Sequence, residues 1–177
     1  FGAALSPDDS RLYVSNMGDD TVALVDTATG DVLGRAGVGD GPAGLAASPD
    51  GARLYVALNG GDSLVELDAD SLATLHSLAL PDGPLGVAVL PSGRVYVSSL
   101  GPITAMDPAT VAVVDPVDLS LLATVTVGYG AHDLAASPDG AKVYVSNFYD
   151  GTVSVIDTAS NTVSATVDIN PGGNVAG

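Results

Sequence analysis

Four copies of one sequence pattern make up most of this chain, and their spacing limits its fold more than any other feature. The copies are "SPDDSRLYVSNMGDDTVALVDT" from Ser6, "SPDGARLYVALNGGDSLVELDA" from Ser48, "LPSGRVYVSSLGPITAMDPATVAVVDP" from Leu90 and "SPDGAKVYVSNFYDGTVSVIDT" from Ser137. The proline at the second position recurs after 42, 42 and 47 residues. A period of roughly 40 to 45 residues is typical of repeat architectures in which each unit is one four-stranded blade.

Each copy also contains its own strand and turn signals. In the fourth copy, "LAAS" is a short strand and Pro-Asp-Gly favours a tight turn, while "KVYVSN", "TVSVID" and "TVSATVDI" alternate apolar and polar residues as strands do. The stretch "SLATLHSLAL" has leucines at helical spacing. Its register with the other copies nevertheless predicts an outer strand.

We therefore predict an all-β fold, a β-propeller with four blades of four antiparallel strands. The blades span approximately 1–39, 40–81, 82–128 and 129–170, and 171–177 would start a further inner strand. Inner strands are expected near Ala3 to Ser6, Ala43 to Ser48, Leu85 to Leu90 and His132 to Ser137.

The two ends of the chain resemble each other, since each carries part of an inner strand. An open array of blades would leave apolar faces and strand edges exposed. We expect the chain to be part of a larger propeller, or to complete a ring with a second copy or another chain.

Composition excludes several classes of function. The formal charge of −16 argues against a nucleic-acid partner, because binding phosphates requires clustered Lys and Arg. Four of the five basic residues occupy one repeat position and are interpreted as structural: Arg11, Arg53, Arg94 and Lys142. The sequence has no cysteine, hence no disulfide or thiolate site, and no apolar run of membrane-spanning length.

The repeat resembles the YVTN-type β-propeller repeat of surface-layer and extracytoplasmic, lactonase-like propeller proteins. "YVSN" occurs at Tyr13–Asn16 and Tyr144–Asn147, and "SPDG" and "VSVIDTASNTV" match the repeat, whereas the second copy has "YVAL" and the third "YVSS". The resemblance implies an extracytoplasmic location, either periplasmic, secreted or at the cell surface. It implies a scaffold, adhesive surface or binding platform, and the wider fold hosts many unrelated activities.

The copies differ most in the loops of one face, here called the variable face, which carries the loops after the Tyr strand and the loops between blades. The fourth copy begins with "YGAHDLA" where earlier copies have "DGPAGLA" and "DGPLGVA", and its loop reads "NFYDGT". The third copy has an insertion, "GPITAMDPAT". Function in scaffolded folds lies on such loops. The candidate binding residues are Tyr129, His132, Asp133, Phe148, Tyr149, Ile103 and Met106.

Catalysis is not favoured by this set. His132 and Asp133 are adjacent on a predicted strand, where neighbouring side chains point to opposite sides, so they should not bond each other. As a pair without a third ligand they are only weak metal candidates. His76 is expected to be solvated, and the acidic loops "GDD", "GGD" and "YDG" are interpreted as turns because they recur at one position.

The sequence thus predicts a non-catalytic scaffold or binding module that interacts with a protein or ligand through its variable face. We expect no cofactor, no resident metal and no catalytic residue. Its expected partners are a protein, further blades or a second copy of the chain. The alternatives left open are a lactonase-like hydrolase and a cofactor-carrying dehydrogenase-type propeller.

Overall fold

A computed structural model describes residues 2–101 and 107–170 of the chain. These residues form sixteen β-strands and no helix. In chain order the strands are β1 Ala3–Leu5, β2 Arg11–Asn16, β3 Thr21–Asp26, β4 Val32–Gly37, β5 Pro42–Ala47, β6 Arg53–Leu58, β7 Ser63–Asp68, β8 Thr74–Ala79, β9 Pro84–Val89, β10 Val95–Ser99, β11 Thr110–Val114, β12 Leu121–Thr126, β13 Ala131–Ala136, β14 Lys142–Asn147, β15 Thr152–Asp157 and β16 Thr162–Asp168. Within these ranges no helix is long and apolar enough to cross a membrane.

Every four consecutive strands form one antiparallel sheet, called blades 1 to 4 in chain order. The inner strands β1, β5, β9 and β13 contact one another in that order along the axis, and the fourth strand of each blade lies outermost. This confirms the predicted all-β fold with four blades of four antiparallel strands. The "SLATLHSLAL" stretch forms the outer strand β8, as its register predicted.

The repeated Ser-Pro-Asp segments form the turns between the first two strands of blades 1, 2 and 4. In each turn the serine hydroxyl donates to the aspartate carboxylate two residues later at 2.6 Å, as in Ser6 and Asp8. The bonds from Ser6 and Ser10 lower the pKa of Asp8 to about 2, because they stabilise the ionised carboxylate. These turns hold the sheet ends in one geometry in each of the three blades.

The hydrophobic core lies between neighbouring blades. The repeated tyrosine of each of the first three blades points at the next blade and is almost fully buried: Tyr13 is 1% exposed, Tyr55 2% and Tyr96 0%. Tyr13 shares a buried cluster with Leu72 of blade 2, and Tyr55 shares one with Leu119 of blade 3. Burying an aromatic side chain contributes more apolar area than any aliphatic one. The tyrosines therefore account for much of the packing between blades.

The inner strands of blades 2, 3 and 4 each contain one extra residue near their start. In β13, Ala131 pairs with Asn147 and Leu134 with Val145, so two residues of β13 oppose one of β14. Such a β-bulge leaves a backbone group unpaired. The Ser146 hydroxyl accepts the freed Asp133 N–H at 3.0 Å, as the Ser98 hydroxyl accepts that of Gly86 at 2.9 Å in blade 3.

The acidic loops of blades 1 and 2 are turns, as predicted. Asp20 and Asp62 have positive φ angles of 55° and 44°. Their carboxylates accept the backbone N–H of Gly41 and Gly83 at 2.9 and 3.1 Å. Both glycines belong to the segment that leads into the next blade. These acids therefore fix the connection between blades.

Candidate binding surface on blade 4

Four rings form a continuous row on the variable face of blade 4, here called the aromatic row: Tyr129, Tyr149, Phe148 and His132. Tyr129 stacks on Tyr149 with ring centroids 4.7 Å apart and an interplanar angle of 28°. Tyr149 meets Phe148 edge-on at 5.1 Å, and Phe148 lies 6.3 Å from His132. Offset-stacked and edge-to-face pairs at these separations are favourable. The structure thus brings together four of the residues predicted from the sequence.

The row is exposed although its rings contact each other. Phe148 is 69% exposed and Tyr149 48% exposed. Isolated exposed apolar side chains are normal on a protein surface, but contiguous aromatic ones mark interaction sites. The row is therefore an exposed aromatic surface on the variable face of blade 4.

The backbone beneath the row is well fixed. Phe148 N–H donates to the Gly130 carbonyl at 2.9 Å, and Tyr129 N–H donates to the Asp150 carboxylate at 2.6 Å. Gly130 has φ +73°, and a Cβ there would lie 3.1 Å from Cε2 of the Tyr149 ring and closer still to its Cδ2. Glycine is required at such a position by both conformation and space. The Tyr149 ring consequently lies directly over Gly130.

Blade 2 shows what the same loops look like without aromatic side chains. Asp40 and Gly60 occupy the positions of Tyr129 and Tyr149, counted from Pro42 and Tyr55. A Cβ on Gly60 would lie within 3.0 Å of the Asp40 carboxylate, so the acid covers the glycine there. The two positions are neighbours in both blades. Two aromatic residues in blade 4 replace a contact that an acid and a glycine make in blade 2.

His132 and Asp133 lie at the inner end of this surface, next to each other on β13. Both are exposed, and both line one cavity of about 500 Å³ along the axis, together with Gly44, Gly86 and Leu85. They are the two residues of the β13 bulge that oppose a single residue of β14, so strict strand alternation is interrupted at this point.

The remaining predicted site residues are less informative. Ile103 and Met106 lie outside the described residues, as does 171–177, the predicted start of a further inner strand. Within the part of the chain that the structure describes, no group of three or more His, Cys, Asp or Glu residues is placed to hold a metal ion.

A buried carboxylate between blades 2 and 3 was missed by the sequence analysis. Glu66 has a side chain 5% exposed and lies 3.2 Å from Arg53 Nε and 2.6 Å from His76 Nδ1. His76 lies on the outer strand β8 with its side chain 58% exposed, as expected for a solvated residue, and its ring also contacts Glu66. Burial, with a further contribution from Glu66, raises the pKa of Tyr55 beside it to about 12. The sequence feature that could have drawn attention to this residue is that Glu66 is the only glutamate of the chain.

No protein-family model matches this chain, and no curated protein sequence matches it. Among solved structures the chain is similar to Kuenenia stuttgartiensis hydrazine synthase, with 29% sequence identity and a TM-score of 0.87. The match covers 96% of this chain and 49% of that chain, so this chain spans about half the length of its structural relative. The four sheets and this likeness define the class of protein, an all-β protein of the β-propeller type.

Proposed function

We propose that the chain is a non-catalytic binding module whose aromatic row contacts a protein partner. The observation that carries the proposal is the row itself, with two strongly exposed rings held in one arrangement by hydrogen bonds and ring contacts. Rigid aromatic side chains provide contact area at low cost in conformational entropy, and they are enriched at protein interfaces.

The charge of the surroundings favours a basic partner. The chain carries a net charge of −16, and Asp133 and Asp150 lie beside the row. A guanidinium or ammonium group over the face of Phe148 or a tyrosine gains a cation–π interaction. The acidic field also increases the association rate of a positively charged partner. An Arg- or Lys-containing segment of a protein is therefore the expected ligand.

The hydrolase alternative would use His132 and Asp133, which both line the axial cavity. A hydrolytic site requires a nucleophile within hydrogen-bond reach of the base. The serine nearest in the sheet, Ser146, has its hydroxyl engaged with the backbone of Asp133 at 3.0 and 3.3 Å. This favours a structural role for that serine, and binding remains the function that the arrangement supports best.

Membership of the YVTN-type repeat family and an extracytoplasmic location are also part of the proposal. They are supported by the "YVSN", "SPDG" and "VSVIDTASNTV" segments. The absence of cysteine is compatible with any compartment.

A peptide selection tests the function directly. A random peptide library is selected on the immobilised unmodified chain, and the enriched peptides are then tested for binding to the Tyr149→Ala variant and to the matched control Leu75→Ala, which alters an exposed residue of an outer strand. We expect enriched peptides to contain Arg or Lys and to bind the control as they bind the unmodified chain. Peptides that bind the Tyr149→Ala variant equally well would contradict the proposal.

A further inference from the structure

A cavity of about 360 Å³, here called the groove cavity, lies between the outer parts of blades 3 and 4. One of its lining residues is Asp150, which follows Tyr149 of the aromatic row and accepts the Tyr129 N–H at 2.6 Å. Four hydroxyl groups also line the groove cavity, those of Thr126, Thr152, Ser154 and Thr166. None of its described lining residues is basic. The groove cavity is therefore rich in hydrogen-bond acceptors, and it adjoins the aromatic row.

The equivalent groove between blades 1 and 2 shows that the fold does not require these polar groups. Counted from the repeated tyrosine, three residues of blade 2 take the places of Asn147, Asp150 and Ser154. They have no polar side-chain atom: Leu58, Gly61 and Val65. Leu58 and Val65 are buried in the apolar core between their blades. The repeat thus packs well with apolar side chains at positions where blade 4 has an amide and a hydroxyl.

The Asn147 amide lies behind the groove cavity and is incompletely bonded. Its Nδ2 donates to the Thr152 and Ser154 hydroxyls at 2.9 Å each. Its carbonyl oxygen is buried and has no hydrogen-bond partner within the part of the chain that the structure describes. A Cβ on Gly128 would lie 2.6 Å from Asn147 Cγ and 2.6 Å from Asp150 Oδ2, so the amide and the carboxylate both lie against this glycine. A buried carbonyl without a donor costs stability, so the arrangement lacks a donor.

We propose that the groove cavity binds the side-chain ammonium group of a lysine in the basic segment that the aromatic row contacts. The source of this lysine rests on the proposed function. An ammonium group carries one positive charge and three N–H donors. It matches the single carboxylate of Asp150, the hydroxyl groups and the unpartnered carbonyl of Asn147. Val127 and Val163, which also line the groove cavity, provide apolar surface for the methylene groups of the lysine.

The geometry favours lysine over arginine. A guanidinium group binds best through two parallel hydrogen bonds to both oxygens of one carboxylate. One oxygen of Asp150 already accepts the Tyr129 N–H, which leaves the second oxygen for the ligand. The other acceptors come from the end of β12, from β15 and from β16, and therefore approach from different sides. Such a convergent set suits a compact ammonium group, whose donors rotate.

A titration with Nα-acetyl-lysine methylamide, followed by ¹H–¹⁵N nuclear magnetic resonance, tests the proposal on the whole chain. We expect saturable shifts of the backbone amide signals of Gly128, Asp150 and Thr152. The arginine derivative and the Nε-acetylated lysine derivative should bind at least about fivefold more weakly, because the first needs a bidentate carboxylate and the second has no charge. The lack of a saturable shift at these amides, or equal affinities for the three derivatives, would overturn the proposal.

Two variants of the chain separate binding from folding. Asp150→Asn retains an oxygen for the Tyr129 N–H and should weaken binding of the lysine derivative at least about tenfold, because the charge is lost. Asp19→Asn, at the same repeat position of blade 1, is the matched control and should leave the affinity unchanged. Equal affinities for the two variants would contradict the assignment of Asp150.

The double variant Asn147→Leu with Ser154→Val restores the residues of blade 2. It should be at least as stable as the unmodified chain in urea denaturation, since the unpartnered carbonyl is removed, and it should bind the lysine derivative at least about tenfold more weakly. Reduced stability would show that the polar pair has only a structural role and would overturn the proposal, as would undiminished binding.

The outcome can be told apart from that of the proposed function. Selected peptides that depend on Tyr149 but bind the Asp150→Asn variant normally would overturn the lysine site alone. Selected peptides that ignore Tyr149, together with a lysine derivative that requires Asp150, would overturn the proposed function and leave the lysine site in place.

Discussion

Replacing Gly44 by alanine should separate blades 2 and 3. Its Cβ would lie 2.9 Å from the Gly86 Cα and closer still to the Leu85 carbonyl oxygen, whereas ordinary contacts begin at 3.4 Å. The two inner strands would have to move apart by at least half an ångström. Because both neighbours are backbone atoms of a packed strand, no side-chain rotation relieves the overlap.

The expected cost follows from this displacement. Overpacking a well-packed core costs about 1–3 kcal/mol, and a gap of ~0.5–1 Å loses a quarter to a half of the dispersion energy of the atoms that line it. We expect Gly44→Ala to lower the free energy of unfolding by about 2–3 kcal/mol. The effect is steric, because the φ angle of Gly44 lies outside the left-handed region.

Urea denaturation followed by far-ultraviolet circular dichroism measures the change. Gly34→Ala is the matched control, since a Cβ at this outer-strand glycine meets no atom within 4 Å. Alanine within a strand is about 0.5–1 kcal/mol more favourable than glycine, so the control should be neutral or slightly stabilising. Equal effects of the two substitutions would refute the argument that inner strands pack backbone against backbone at Gly44.

Three further predictions follow from the structure. Lowering the pH from about 4 to about 2 should destabilise the fold, because hydrogen bonds keep the pKa of Asp8 near 2 in the folded state, below its unfolded value. The stability that this carboxylate contributes above pH 4 is lost as the pH falls through the folded pKa and the carboxylate is protonated. Thermal melts at successive pH values measure this loss of stability. Arg53→Met should lower the free energy of unfolding by roughly 1–3 kcal/mol, because it leaves the buried Glu66 carboxylate without the Arg53 guanidinium. Glu66→Leu should leave the free energy of unfolding nearly unchanged, and equal losses for the two variants in urea denaturation would contradict this argument. Gly130→Ala should displace the Tyr149 ring and reduce the near-ultraviolet circular dichroism of the aromatic row, and an unchanged spectrum would show that the row does not depend on Gly130.

The fold could be predicted from the sequence because the same pattern of strands and turns occurs in four copies. Pro7, Pro49, Pro91 and Pro138 fix the period, and alternation around each tyrosine fixes the strands. The leucines of β8 have helical spacing, so this segment alone is ambiguous between helix and strand. Its register with the other copies indicates a strand, which the structure confirms.

The candidate site could be predicted only in part. The proximity of Tyr129 and Tyr149 followed from their positions on one face, and their stacking agrees with it. The bulge that contains His132 and Asp133 could not be predicted, because it interrupts strand alternation locally and has no side-chain signature of its own. The partners of Glu66 were missed because Arg53 and His76 reach it from neighbouring strands, which a linear repeat comparison does not reveal.

The central claim is that the aromatic row of blade 4 binds a basic protein segment. Isothermal titration calorimetry of one selected Arg- or Lys-containing peptide, against the unmodified chain and the Tyr149→Ala and Tyr144→Ala variants, tests it most directly. Loss of the Tyr149 ring should weaken binding at least about tenfold, or about 1.4 kcal/mol, while the Tyr144 substitution should leave the affinity unchanged. Equal affinities for the unmodified chain and the Tyr149→Ala variant would contradict the claim.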